Sequence, residues 1–218
     1  MIKASWKCLN GDSFLKHKTE FSQEELNEMT AIINQVFQHY YKMVNHSLLK
    51  ASDFHVPWFI KRKERLSEFE DQYAPLSVAM LVEAIRGATT KQFGSPEEML
   101  MEQMRKKLLS VDRQKSFDSY WRLIQEENAK QNDTIRPLVS GLSTLFMYKL
   151  FGPEATDPNP AVLNSTRHQV AVDFQIGRYL FSLIQGVEKG LDHLQKQNKI
   201  KKKKTSNTKD TTVASKKN

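Results

Sequence analysis

Apolar residues recur at intervals of three and four along most of the chain, the spacing that lines up one face of an α-helix. The first run follows Phe21. Ser22 and Glu25 have the spacing of a capping box, in which hydroxyl and carboxylate each accept a backbone amide of the first turn, and Phe21 and Leu26 hold the flanking staple positions. Leu26, Met29, Ile33, Val36, Tyr40, Met43 and Ser47 continue the run, which predicts a helix to about Leu49. Ile32 and Phe37 widen the stripe beyond a two-stranded seam, so the helix is expected to pack in a bundle.

Pro57 suits the first position of a second helix running to Tyr73, with Trp58, Phe59, Arg62, Leu66 and Phe69 along it and Lys61, Arg62, Lys63 and Arg65 as a basic run. Pro75 opens a third, whose residues 76–85 are apolar except for Ser77 and Glu83; this predicts a buried central helix ending near Gly87. Ser95, Pro96 and Glu98 repeat the start signal ahead of Met99, Met101, Met104, Leu108 and Val111. Arg105, Lys106 and Lys107 sit toward the C-terminal end of this fourth helix, where cations complement its dipole. A fifth helix over residues 116–132 carries Phe117, Tyr120, Trp121 and Ile124, and a sixth spans 134–151, closed by Gly152 and Pro153. Three prolines make 152–160 a loop.

The last and longest helix is expected from about Ser165 to Asn198. Between residues 170 and 187 it carries two stripes, one of Val170, Phe174, Gly177, Phe181 and Ile184, the other of Val172, Ile176, Tyr179, Leu183 and Val187. A helix apolar on two sides reads as sandwiched. Beyond Glu188 only Leu191 and Leu194 continue the pattern, so the end is expected to leave the core and expose a thin Leu191 and Leu194 stripe. Gly186 and Gly190 weaken the helix by about 1 kcal/mol each relative to alanine. A hairpin over residues 6–14, around Asn10 and Gly11, is the one strand signal. The pattern therefore predicts an all-α protein: an irregular bundle of six to seven helices with a long C-terminal helix and a disordered basic tail. The helical body spans 1–198, with possible sub-lobes 1–151 and 161–198, and the tail spans 199–218.

Composition changes this picture little. Hydrophobic residues make 39% of the chain and charged residues 27%, and only eight glycines and seven prolines supply turns, which favours long helices. A single cysteine, Cys8, precludes an internal disulfide, and neither a signal-like stretch in residues 1–10 nor a membrane-spanning run of about 20 apolar residues stands out, so a cytoplasmic location is expected. Charge matters more. Of the formal +8, residues 199–218 hold +7, from eight lysines against Asp210, and the body is left at +1. The tail lacks aromatic residues and cannot offset the entropy of ordering itself, while Lys201, Lys202, Lys203 and Lys204 would release counterions on meeting a polyanion.

No catalytic constellation emerges. The histidines, His17, His39, His46, His55, His168 and His193, show no metal-motif spacing, and His39 and His46 lie seven apart, roughly 10 Å along a helix axis. Residues 87–95 lack the order of a phosphate-binding loop, there is no Gly-x-Ser-x-Gly elbow, and Cys8 has no assured base. No cofactor or metal is expected. Two contact regions remain. Phe54, Trp58 and Phe59 beside Arg62 combine aromatic anchors with a cation, as binding hot spots do, and Leu191 with Leu194 could enter a partner's groove.

These residues suggest a non-catalytic adaptor or accessory subunit of a larger protein assembly, for example secretion or trafficking machinery. A nucleic-acid-associated protein tethered by Lys201 to Lys204 is the alternative. An amphipathic coat on a granule or membrane surface is a third reading, which the sandwiched reading of the last helix argues against.

Overall fold

The computed structural model describes residues 21–52, 62–130, 134–152 and 163–214. Among them every regular element is helical: α1 (Gln23–Ala51), α2 (Arg62–Phe93), α3 (Glu98–Leu108), α4 (Gln114–Ala129), α5 (Arg136–Phe151) and α6 (Leu163–Ala214), with a 3-10 turn at Val111–Arg113 before α4. The expected hairpin at 6–14 lies outside the described residues, as do most of the 152–160 loop and the proposed start at Pro57.

α1 begins as its sequence requires. The Ser22 hydroxyl accepts the Glu25 amide at 3.2 Å, and the Glu25 carboxylate accepts the Ser22 amide at 3.0 Å, so both halves of the capping box form. Phe21 packs edge-on against Phe93 at 4.8 Å, tying the start of α1 to the end of α2. Along α1 the buried positions are Leu26, Met29, Ile33, Phe37, Val44 and Leu48, and Met43 is exposed. Strict three-four alternation repeats every 3.5 residues, whereas an α-helix turns every 3.6, so the inward line drifts by about 20° per heptad from Tyr40 and Met43 onto Phe37, Val44 and Leu48.

The two helices expected on either side of Pro75 are one. α2 carries Pro75 in its interior and continues past Gly87 to Phe93, ending where Gly94 takes φ of 82°. The proline removes one rung of the hydrogen-bond ladder. Burial on all sides of residues 73–85 outweighs that loss, because this stretch is the centre of the core, in a helix touched by every other one. Tyr73 donates to the Tyr41 carbonyl at 2.8 Å and stacks on Phe69 at 5.8 Å, while Tyr41 donates to Glu70, which also accepts from Asn45 at 2.8 Å. Burial raises the Tyr41 and Tyr73 hydroxyl pKa values, keeping both as neutral donors. Buried Glu83 of α2 is held by the Arg86 guanidinium at 2.7 and 2.8 Å.

Three shorter helices close the core. α3 starts at Glu98 without a side-chain cap, so the expected Ser95 cap is replaced: the Glu97 amide is accepted by Thr89 of α2 at 3.1 Å. Its inward residues are Leu100, Met101 and Met104, while Met99 and Val111 face solvent. Glu102 receives Arg105 at 2.8 Å and Lys106 at 3.2 Å, and these partners, Arg105 first, hold its carboxyl down at about 2. α4 buries Phe117, Tyr120 and Ile124, and α5 buries Leu142 and Phe146 before Gly152 ends it with φ of 79°.

α6 spans the bundle and runs on to Ala214 where the sequence placed an end near Asn198, so part of the expected disordered tail is helical. A helix once nucleated extends by one hydrogen bond per residue fixed, and lysine is a good helix former. α6 runs antiparallel to α1, with Gly186 facing Val36 and Tyr40 and Gly190 facing Ile32. It also runs antiparallel to α5, where Ser143 meets Asp173 and Gln169. Its sense follows that of α2, where Tyr73 stacks on Tyr179 at 6.3 Å and Lys91 reaches Glu188 at 3.1 Å.

The two glycines are thus contact positions. A Cβ at Gly186 would lie 2.6 Å from Val36 Cγ1, and one at Gly190 would lie 2.6 Å from Ile32 Cγ2. Both neighbours are β-branched and stiff at χ1, so they cannot swing aside at their tips. Gly186→Ala is expected to lower stability by about 1–2 kcal/mol in urea denaturation, overpacking outweighing the gain in helix propensity. Gly87→Ala, with nothing within 4 Å of its Cβ, is expected to raise stability by about 0.5–1 kcal/mol. The reverse order of the two variants would refute the close approach of α1 and α6.

Candidate interaction surface

The two apolar stripes of α6 have different fates. Val172, Ile176, Tyr179, Leu183 and Val187 are buried, and the line continues without a break through Leu191 at 1% and Leu194 at 6% exposure. The expectation of an exposed Leu191 and Leu194 stripe is therefore corrected. Gly190 lets α1 close over this end, so both leucines belong to the core.

Of the other stripe, Gly177 and Ile184 are half-buried against the bundle and the rest faces outward. Val170, Phe174 and Phe181 are exposed at 64%, 65% and 46%, so the sandwiched reading of this helix is corrected as well. At 3.6 residues per turn these three residues fall within roughly 40° of arc, on the side of α6 away from the buried line. Among the described residues α5 covers the flank, with Val139 against Gly177 at 3.5 Å and Asp173 turned to Ser143. Exposed Arg178 lies between the two phenylalanines, and Lys189 and Lys196 follow as exposed cations on the same helix. The sequence did hold a signal separating the stripes. One runs on to Leu194, as a face packed along the whole bundle must, while the other stops at Ile184 and gives way to Gln185 and Glu188.

Charge sharpens the contrast. Residues 163–214 carry ten lysines and arginines against four acids, residues 215–218 add two lysines, and residues 1–162 carry 21 of each sign. The whole net charge therefore belongs to α6 and the four residues after it.

The other residues singled out by the sequence lie apart from this ridge or beyond the described residues. Phe54, Trp58 and Phe59 lie outside the described residues. Arg62 opens α2, and Lys201, Lys202, Lys203 and Lys204 fall within the helical span of α6, in both cases with side chains outside those described. His39 and His46 are exposed on α1. Among the described residues no three His, Cys, Asp or Glu gather as a metal site, and no helix is long and apolar enough to cross a membrane. Residues 87–93, weighed as part of a phosphate loop, are helical.

Two other places invite a chemical reading. A polar cleft of about 490 Å³ is lined by Asp71, Gln72, Ser110, Asp112, Arg113 and Ser116; Arg113 is already paired with Asp71 at 2.9 Å. This pairing joins α2 to the 3-10 turn. Lys149 has its pKa lowered by burial and by Lys115, as an amine nucleophile would need, but its ammonium sits 5.6 Å over the Tyr120 ring.

Exposure separates the two stripes experimentally. Phe174→Ser with Phe181→Ser is expected to change unfolding free energy by less than about 1 kcal/mol. Leu191→Ala with Leu194→Ala is expected to cost about 4 kcal/mol or more, because each opens a cavity between α1 and α6. Urea titration of the two double variants checks both; equal losses would place the phenylalanines in the core. No family model, curated protein or solved structure matches this chain.

Proposed function

We propose that the protein is a non-catalytic helical adaptor or accessory subunit that works by contact, and that its contact surface is the outward face of α6. The observation that carries this reading is the line of Val170, Phe174 and Phe181, large apolar side chains in water on a helix whose opposite side is fully packed. Burying such side chains recovers roughly 25 cal/mol per Å², so exposed apolar residues in line mark a surface with a counterpart. The polar cleft offers less, since its arginine and one of its acids are consumed by each other.

Recovery of tagged full-length protein from its native host, wild type beside Phe174→Ser with Phe181→Ser, tests the reading. The variant is expected to lose most of the associated material while retaining its helical spectrum and unfolding midpoint. An unchanged set of associated molecules would refute the assignment of this face. A turnover activity that survives the double substitution would refute the non-catalytic reading.

A further inference from the structure

We propose that the surface met by the outward face of α6 is an anionic lipid bilayer, on which the helix lies in the plane of the headgroups. This rests on the reading of that face as the contact surface and names what it contacts.

Shape is the first ground. Val170, Phe174 and Phe181 form a ridge on one helix, whereas a partner's helix or loop is received by a groove. Area is the second. With aromatic side chains offering about 150–250 Å² each, the three exposed residues present roughly 300 Å² of apolar surface. A stable protein interface takes about 800 Å² per partner. The ridge is short of that, yet suffices for side chains that insert between headgroups, where binding grows with each apolar group buried and needs no matching surface.

Charge is the third ground and fixes the kind of lipid. One membrane signal is weak, and firm peripheral binding combines an apolar insertion with a cluster of cations. α6 holds both. Arg178 stands between the phenylalanines, exposed Lys189 and Lys196 follow, and Lys199 and Lys201 to Lys204 continue the same helix, while the first 162 residues sum to zero charge. Anionic headgroups attract such lysines, and the attraction fades within a Debye length of about 8–10 Å. A polynucleotide would engage the lysines but leave Val170 without a counterpart.

Co-sedimentation of the full chain with vesicles of phosphatidylcholine, with and without phosphatidylserine, tests the proposal. Binding is expected only with phosphatidylserine and weaker at raised salt. It should fall at least about tenfold for Phe174→Ser with Phe181→Ser, and by a similar factor when Lys201 to Lys204 are changed to Gln. Absence of binding to the mixed vesicles overturns the proposal. So does binding that ignores the phenylalanines, which would be charge attraction by the lysines alone. If vesicles fail while the phenylalanine variant still loses an acidic protein from the host, the contact surface stands and its counterpart is that protein. If the phenylalanines matter in neither assay, both readings fall.

Discussion

The close approach of α1 and α6 is the constraint on which the rest of the molecule depends. Gly186 and Gly190 leave no side chain between the two axes, so Val36, Tyr40 and Ile32 press directly on the α6 backbone. That contact fixes the rotation of α6 about its own axis. With the glycines turned to α1 and Asp173 turned to α5, the line from Val172 to Leu194 must enter the core, and the line from Val170 to Phe181 must leave it. The exposed ridge is thus a consequence of how the helix is seated.

A second consequence concerns the centre. α2 can be apolar nearly all round because α6, α4, α3 and α5 enclose it. Several of its polar groups in the enclosed part are answered, Glu83 by Arg86, Thr89 by the Ile85 carbonyl and the Glu97 amide, and Tyr73 by the Tyr41 carbonyl, while the buried Ser77 hydroxyl is left without a hydrogen-bond partner. Core and contact surface are divided within α6 rather than between separate domains.

Much of this was legible in the residues. The capping box at Ser22 and Glu25 formed as written, because it depends only on neighbours three apart, and the buried nature of residues 76–85 followed from composition alone. What local pattern could not carry was tertiary compensation. Pro75 looks like a helix start when only its own ring is considered, and only the enclosure of its neighbours makes it an interior residue. Ser95 has the chemistry of a cap, but Thr89, six residues back along the chain, took the amide instead. For α6, periodicity revealed both stripes and could not rank them; the ranking came from Gly186 and Gly190, read in the sequence as weak points and found to be places of close approach to α1. Phe54, Trp58 and Phe59 lie outside the described residues, so the candidate contact surface rests on α6 alone.

Pro75 has a mechanical consequence. Without its amide hydrogen, the Asp71 carbonyl loses its partner four residues on, so α2 is softest in bending just where it enters the enclosed part of the bundle. The Asp71 side chain is gripped from outside by Arg113. A pull on the turn between α3 and α4 would accordingly be absorbed as a tilt of the first turns of α2, leaving the long enclosed stretch beyond the proline, and the seat it gives α6, undisturbed.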